Sequence, residues 1–135
     1  MTRWLATVMA VAVLSAFGAA GAGGSISAPG HDALAAQAQR VAVEFFRSQN
    51  ERRYDDLCGL FSRAFYRSHA LRDERTCAAV LRVASVWNAR IEFRIGKVVH
   101  DGDRLVVQAV ADGAPGRLVL VREDGSLKIL AVEGA

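Results

Sequence analysis

Residues 90–95 read Arg90-Ile91-Glu92-Phe93-Arg94-Ile95, charged and apolar side chains in strict turn. Successive side chains of a β-strand point to opposite faces, so this period of two predicts a half-buried antiparallel strand. Upstream of it, apolar residues recur every three or four positions, which is the period of a helix. The chain thus changes from helix to strand near residue 90, and an α+β fold follows.

Downstream, Gly96 marks a candidate bulge. Asp101-Gly102 and Asp124-Gly125 are dipeptides that two-residue hairpins favour, because glycine accepts the positive φ of such turns. They flank strands predicted over Leu105–Ala111 and Leu118–Arg122, with Ala114-Pro115-Gly116 read as the turn between these two. A last strand is expected over Leu127–Val132. The result is a four-stranded meander.

Upstream, Asp32 is placed as the cap of a helix whose apolar positions are Leu34, Ala38, Val41, Ala42, Phe45 and Phe46. That helix should end near Gln49-Asn50. A second helix is predicted from about Tyr54 to Ala64–Arg67, with Leu57, Cys58, Leu60, Phe61 and Phe65 on one stripe and Asp55 and Asp56 at its favourable N-terminal end. A third starts at about Asp73 and is expected to bury Cys77, Val80, Leu81, Ala84 and Trp87. Three helices covering one face of the sheet is the architecture this implies.

Cys58 and Cys77 are the only cysteines. An even count behind an export signal points to a disulfide, here joining the second helix to the third; a reactive thiol with His69 as its base is the competing reading. Histidines at 31, 69 and 100 do not complete a four-ligand zinc pattern, and no metal or cofactor is expected.

The export signal is the N-terminus itself. Met1-Thr2-Arg3 carries one charge, Trp4 to Phe17 is apolar apart from Thr7 and Ser15, and Gly18 to Gly24 is all small. Residues 1–22 are read as a signal peptide with cleavage after Ala20-Gly21-Ala22, residues 23–31 as a flexible linker, and residues 32–135 as the folded domain. Retention of the leader as a membrane anchor is the alternative, since Trp4 to Gly24 is just long enough to span. The expected location is secreted or extracytoplasmic, at the cell envelope.

With 135 residues, 52% hydrophobic, 23% charged and a net charge of +3, the chain is one globular domain, which excludes multidomain enzymes and intrinsic disorder. Arginine outnumbers lysine 15 to 2, a coding bias of GC-rich genomes rather than a sign of nucleic-acid binding, which is not expected of an exported protein. Arginines 63, 67, 72, 75, 82, 90 and 94 nevertheless concentrate the positive charge in one stretch, a candidate contact for anionic head groups, cell-wall polymers or an acidic partner.

The long amphipathic helix, the short helix Tyr54-Asp55-Asp56-Leu57-Cys58-Gly59-Leu60-Phe61, the helix at Thr76-Cys77 and the meander together resemble the NTF2-like, cone-shaped superfamily. More narrowly, they are similar to small exported NTF2-like proteins and lipoproteins of actinobacteria; the cysteine that a lipoprotein needs directly after its apolar segment is absent, the first being Cys58. The resemblance implies a curved four-stranded sheet and a cone whose open end takes a small apolar ligand, with Tyr54, Phe61, Phe65 and Trp87 as candidate lining residues. Enzymes of the superfamily place Asp, His and Tyr in that cone, but no segment here matches their catalytic motifs. Tyr54, Asp55, Asp56, Tyr66, His69, Trp87 and His100 are therefore read as helix-end, packing or solvent-facing residues, and no catalytic residue is assigned.

The expected function is a non-enzymatic domain that binds a small apolar ligand or an envelope protein; the alternative is a cone-pocket lyase or isomerase acting on a hydrophobic molecule. Both faces of the central sheet are apolar, Leu118 and Leu120 alternating with Val119 and Val121, and Leu105 and Val107 with Val106 and Val110. A homodimer packed through the sheets would shield the second face.

Overall fold

The computed structural model describes residues 29–84 and 89–134. The leader, most of the linker and Trp87 lie outside the described residues. The element order is α1 (Pro29–Asn50), α2 (Tyr54–Cys58), α3 (Arg63–Ser68), α4 (Glu74–Ala84), β1 (Phe93–Asp101), β2 (Arg104–Ala111), β3 (Ala114–Glu123) and β4 (Ser126–Gly134).

α1 starts three residues before the expected cap. Proline suits the first helical position, where its missing N–H has no partner to lose, and Asp32 falls in the first turn, where a negative charge complements the helix dipole. Ala38, Ala42, Phe45 and Phe46 form its fully buried stripe, as the spacing required. Two long-range amide contacts clamp the helix to the sheet. Gln39 Nε2 donates to Gly96 O at 3.1 Å, and the Asn50 carboxamide both accepts from Ile91 N–H at 2.7 Å and donates to Ile91 O at 2.9 Å.

The expected second helix is two helices, so the described residues hold four rather than three. Its apolar stripe is continuous, but the backbone of residues 60–62 finds better partners than a helix offers. Ser62 N–H donates to Ile129 O at 2.9 Å and Ile129 N–H to Leu60 O at 2.7 Å, which makes a short parallel bridge along the free edge of β4. The bridge pairs the Ile129 N–H and C=O, groups that a bare sheet edge would leave open to another chain. Ser62 then caps α3, its hydroxyl accepting from Phe65 N–H at 3.1 Å.

α4 begins where expected, with Asp73 as its cap: one carboxylate oxygen accepts from Thr76 N–H at 2.8 Å. Its buried side differs from expectation. Cys77 and Ala78 are buried and Leu81 half-buried, whereas Val80 and Ala84 are exposed. The bridge to Cys58 sets the rotation of the helix, with S–S bonded and the Cα atoms 6.0 Å apart, and that turns the 77/78/81 side inward.

The four strands form one antiparallel sheet in the order β1-β2-β3-β4. Asp124-Gly125 is a two-residue turn as expected, with φ of 51° and 79°. The first turn is Gly102-Asp103 rather than Asp101-Gly102, since Asp101 pairs with Arg104. The middle turn is Asp112-Gly113, and Ala114, Pro115 and Gly116 belong to β3 instead. An Asp-Gly pair with φ of 50° and 79° fits a two-residue hairpin better than the Ala-Pro-Gly run does. Pro115 pairs with Val110 of β2, one residue before the first described β3–β4 pair at Gly116↔Gly134.

Register shifts between Ile95 and Val98 of β1, and beside Val119/Leu120 in the β3–β4 pair, bend the sheet around the helices. The first coincides with Gly96, where a Cβ would lie 3.2 Å from Gln108 O, so the close approach of β2 selects glycine. The inner face carries Leu105, Val107, Ala109, Leu118, Leu120, Leu127 and Ile129 into the core. On the outer face Val99, Val106, Val119 and Ala131 line up across the sheet. The central pair is nearly covered, at 9% and 8% exposure for Val106 and Val119, and Val99 at the edge is 42% exposed.

Candidate functional site

Beneath the helices the interior is filled by aromatic rings in contact. Phe93 stacks on Phe46 at 4.9 Å, Phe46 meets Phe45 edge-on at 5.0 Å, Phe45 meets Phe61, and Phe61 stacks on Phe65 at 3.9 Å. His69 continues the series, stacked on Phe65 at 4.2 Å and half-buried rather than solvent-facing, with Nδ1 2.8 Å from Phe65 O. The buried polar side chains among the described residues are Ser48 and Ser62; Ser48 donates to Glu44 at 3.0 Å and Ser62 caps α3.

A cleft of about 280 Å³ opens instead at the C-terminal end of α1. Gln49, Asn50, Arg52, Tyr54, Ala89, Arg90 and Ile91 line it. Three local features build it. First, α1 stops by reversing its chain: Arg53 N–H donates to Ser48 O at 2.8 Å and Arg52 N–H to Gln49 O at 3.1 Å, with Arg52 in the left-handed region at φ 58°. Second, the Asn50 carboxamide holds residue 91 by its peptide N–H and C=O, fixing the opposite wall. Third, the Tyr54 ring is buried to 5% exposure at the start of α2, with the Arg82 guanidinium of α4 5.9 Å from its centroid.

The charges around this cleft are sorted unevenly. Arg53 gathers three carboxylates, Glu44 at 2.8 Å, Glu51 at 2.7 Å and Asp56 at 2.6 Å. Its hydrogen bond is the main reason the Glu44 carboxyl is held below its usual pKa, with the Ser48 hydroxyl assisting against a smaller desolvation effect. Asp55 is exposed on α2.

Of the candidate ligand-lining residues, only Tyr54 lies on this cleft. Phe61 and Phe65 are packed into the core, and Trp87 is outside the described residues. Tyr66 is half-buried and donates its hydroxyl to Cys58 O; burial, helped by Glu74, Asp73 and Glu123, pushes its pKa up to about 12. His100 is exposed on β1. The run of arginines is dispersed by the fold: Arg63 pairs with Asp124 at 2.8 Å and Glu123 at 3.5 Å, Arg82 covers Tyr54, Arg90 lines the cleft, and Arg67, Arg72, Arg75 and Arg94 are exposed. Arg52, Gln49 and Asn50 were not singled out from the sequence as site residues, and Arg90 was named only within the basic stretch. One signal was available: no glycine follows α1, so the chain reversal had to place another residue in the left-handed region.

No protein-family model matches the sequence, and no curated protein matches it. Among solved structures, Bdellovibrio bacteriovorus Bd1075 aligns with 82% of this chain at 12% sequence identity and a TM-score of 0.55. This chain spans 44% of that protein, less than half its length. A de novo designed protein with curved beta-sheet aligns with 72% of this chain and 97% of its own, at 13% identity and a TM-score of 0.48. The chain therefore has an α+β fold, with helices preceding a curved four-stranded antiparallel sheet, that it shares with part of Bd1075.

Proposed function

We propose that this chain is an exported, disulfide-stapled binding domain of the NTF2-like type, non-enzymatic, and that it takes a small ligand with an apolar portion at the cleft formed by α1, Tyr54 and residues 89–91. The cleft carries the reading: about 280 Å³ of open volume lies there, against Tyr54, Ala89 and Ile91, while phenylalanine rings occupy the space under the helices. The leader at residues 1–22 and the Cys58–Cys77 bond support an extracytoplasmic address, since such bonds persist in oxidising compartments. Among the described residues no helix is long and apolar enough to cross a membrane. The lyase or isomerase reading calls for a desolvated Asp, Glu or His facing a cavity, and no observation favours it.

The test is a titration of the ¹⁵N-labelled oxidised protein with indole and with benzamide. Amide shifts centred on Gln49, Tyr54, Ala89 and Ile91 are expected. Shifts centred on Phe45, Phe61 and Phe65 instead would overturn the assignment.

A further inference from the structure

Two arginines, Arg52 and Arg90, line the cleft, and among the described residues neither has an ion-pair or side-chain hydrogen-bond partner. The carboxylates that could have neutralised them are committed elsewhere. Glu44, Glu51 and Asp56 are all held by Arg53, while Asp55 and Glu92 are exposed and do not line the cleft. Arg52 stands out further for its backbone. It sits at φ 58° in the residue after the helix C-cap, a position that glycine fills without steric penalty and that an arginine fills under strain.

We propose that the cleft is selective for an oxyanion. A carboxylate or phosphate group of the ligand sits between Arg52 and Arg90, and the ligand's apolar remainder lies against Tyr54, Ala89 and Ile91. This specifies the ligand class for the binding function proposed above, and it rests on that function. The planar guanidinium fork matches the spacing of carboxylate and phosphate oxygens, and charge-assisted bonds of this kind are stronger than neutral ones. Gln49 also lines the cleft, its Nε2 donating to Phe45 O at 3.3 Å, and the clamp of Asn50 on Ile91 sets the distance between the two sides.

Benzoate, phenyl phosphate and benzamide share a ring and differ in head group, so they separate the anion from the apolar part and a carboxylate from a phosphate. Both anions should bind the oxidised protein at least tenfold more tightly than benzamide at low ionic strength, with the advantage shrinking as salt is added. The tighter of the two names the head group. Arg52→Gly should raise Tm by relaxing the left-handed backbone and yet weaken benzoate binding at least tenfold. Arg90→Gln should weaken benzoate to the same degree and leave benzamide unchanged. If benzamide reaches the same residues as tightly as the anions, or if Arg52→Gly keeps its benzoate affinity, oxyanion selectivity is wrong while the binding function stands. If none of the three compounds perturbs the cleft, the binding function fails with it.

Discussion

Removing the Cys58–Cys77 bond should weaken the domain globally and release α4 first. The cysteines are 19 residues apart, and cross-linking a loop of that length lowers the entropy of the unfolded chain by an amount equivalent to about 3 kcal/mol at 25 °C. For a domain of roughly 100 residues this corresponds to a fall in Tm of about 10–20 °C. The local consequence comes from how α4 is held. It packs chiefly on α2, buries only Cys77 and Ala78 fully, and leaves Val80 and Val83 at 42% and 76% exposure. A helix of 11 residues is marginal without tertiary support. In a Cys58→Ala/Cys77→Ala protein, urea unfolding followed by circular dichroism should show the loss of about 3 kcal/mol. Hydrogen exchange should show the α4 amides opening well before those of β2 and β3. A variant within about 1 kcal/mol of the parent, against the figure expected from loop closure, would refute the reasoning. So would α4 amides that stay as slow as those of the central strands.

Asn50→Ala should cost about 2–3 kcal/mol, because it strips both hydrogen bonds from the Ile91 peptide; urea denaturation checks it, and a near-neutral result would mean water replaces the carboxamide. Glu44 has a folded pKa below its usual 4.5, so its contribution is present above the unfolded value and lost as pH falls through the folded one. The urea midpoint should therefore decline on acidification, and Glu44→Gln should flatten that decline. Tyr66 has the opposite sign: raised from 10.0 to about 12, mainly by burial, its hydroxyl contributes stability below the ordinary value that is lost as pH rises through the folded one. Ultraviolet titration should show one late-ionising tyrosine that Tyr66→Phe abolishes.

The fold class was legible because it depends on periodicity, and periodicity is local. Alternation at Arg90–Ile95 pointed to a strand there, although β1 begins only at Phe93 and residues 90–92 lead into it, and the buried Ala38, Ala42, Phe45 and Phe46 stripe lies where three- and four-residue spacing put it. The cysteine pair was legible from its even count behind a stretch read as an export signal, and it is bonded. Where two local signals competed, the sequence reading went astray. Ala114-Pro115-Gly116 was read as the turn, although the neighbouring Asp112-Gly113 supplies the positive φ that a two-residue hairpin needs.

What only the tertiary structure decided is where separate elements meet. The break between α2 and α3 exists because Leu60 and Ser62 pair with Ile129, almost seventy residues later, and no helical period reports such a partner. The rotation of α4 is set by a covalent bond across the fold rather than by its own apolar pattern. The cleft is the clearest case. Arg52 and Arg90 are far apart in sequence, Arg52 was undistinguished among fifteen arginines, and both line one cleft because Asn50 binds Ile91 and the helix end turns left-handed at Arg52. Local spacing specifies elements; a binding site is a property of distances between them, which the folded chain alone establishes.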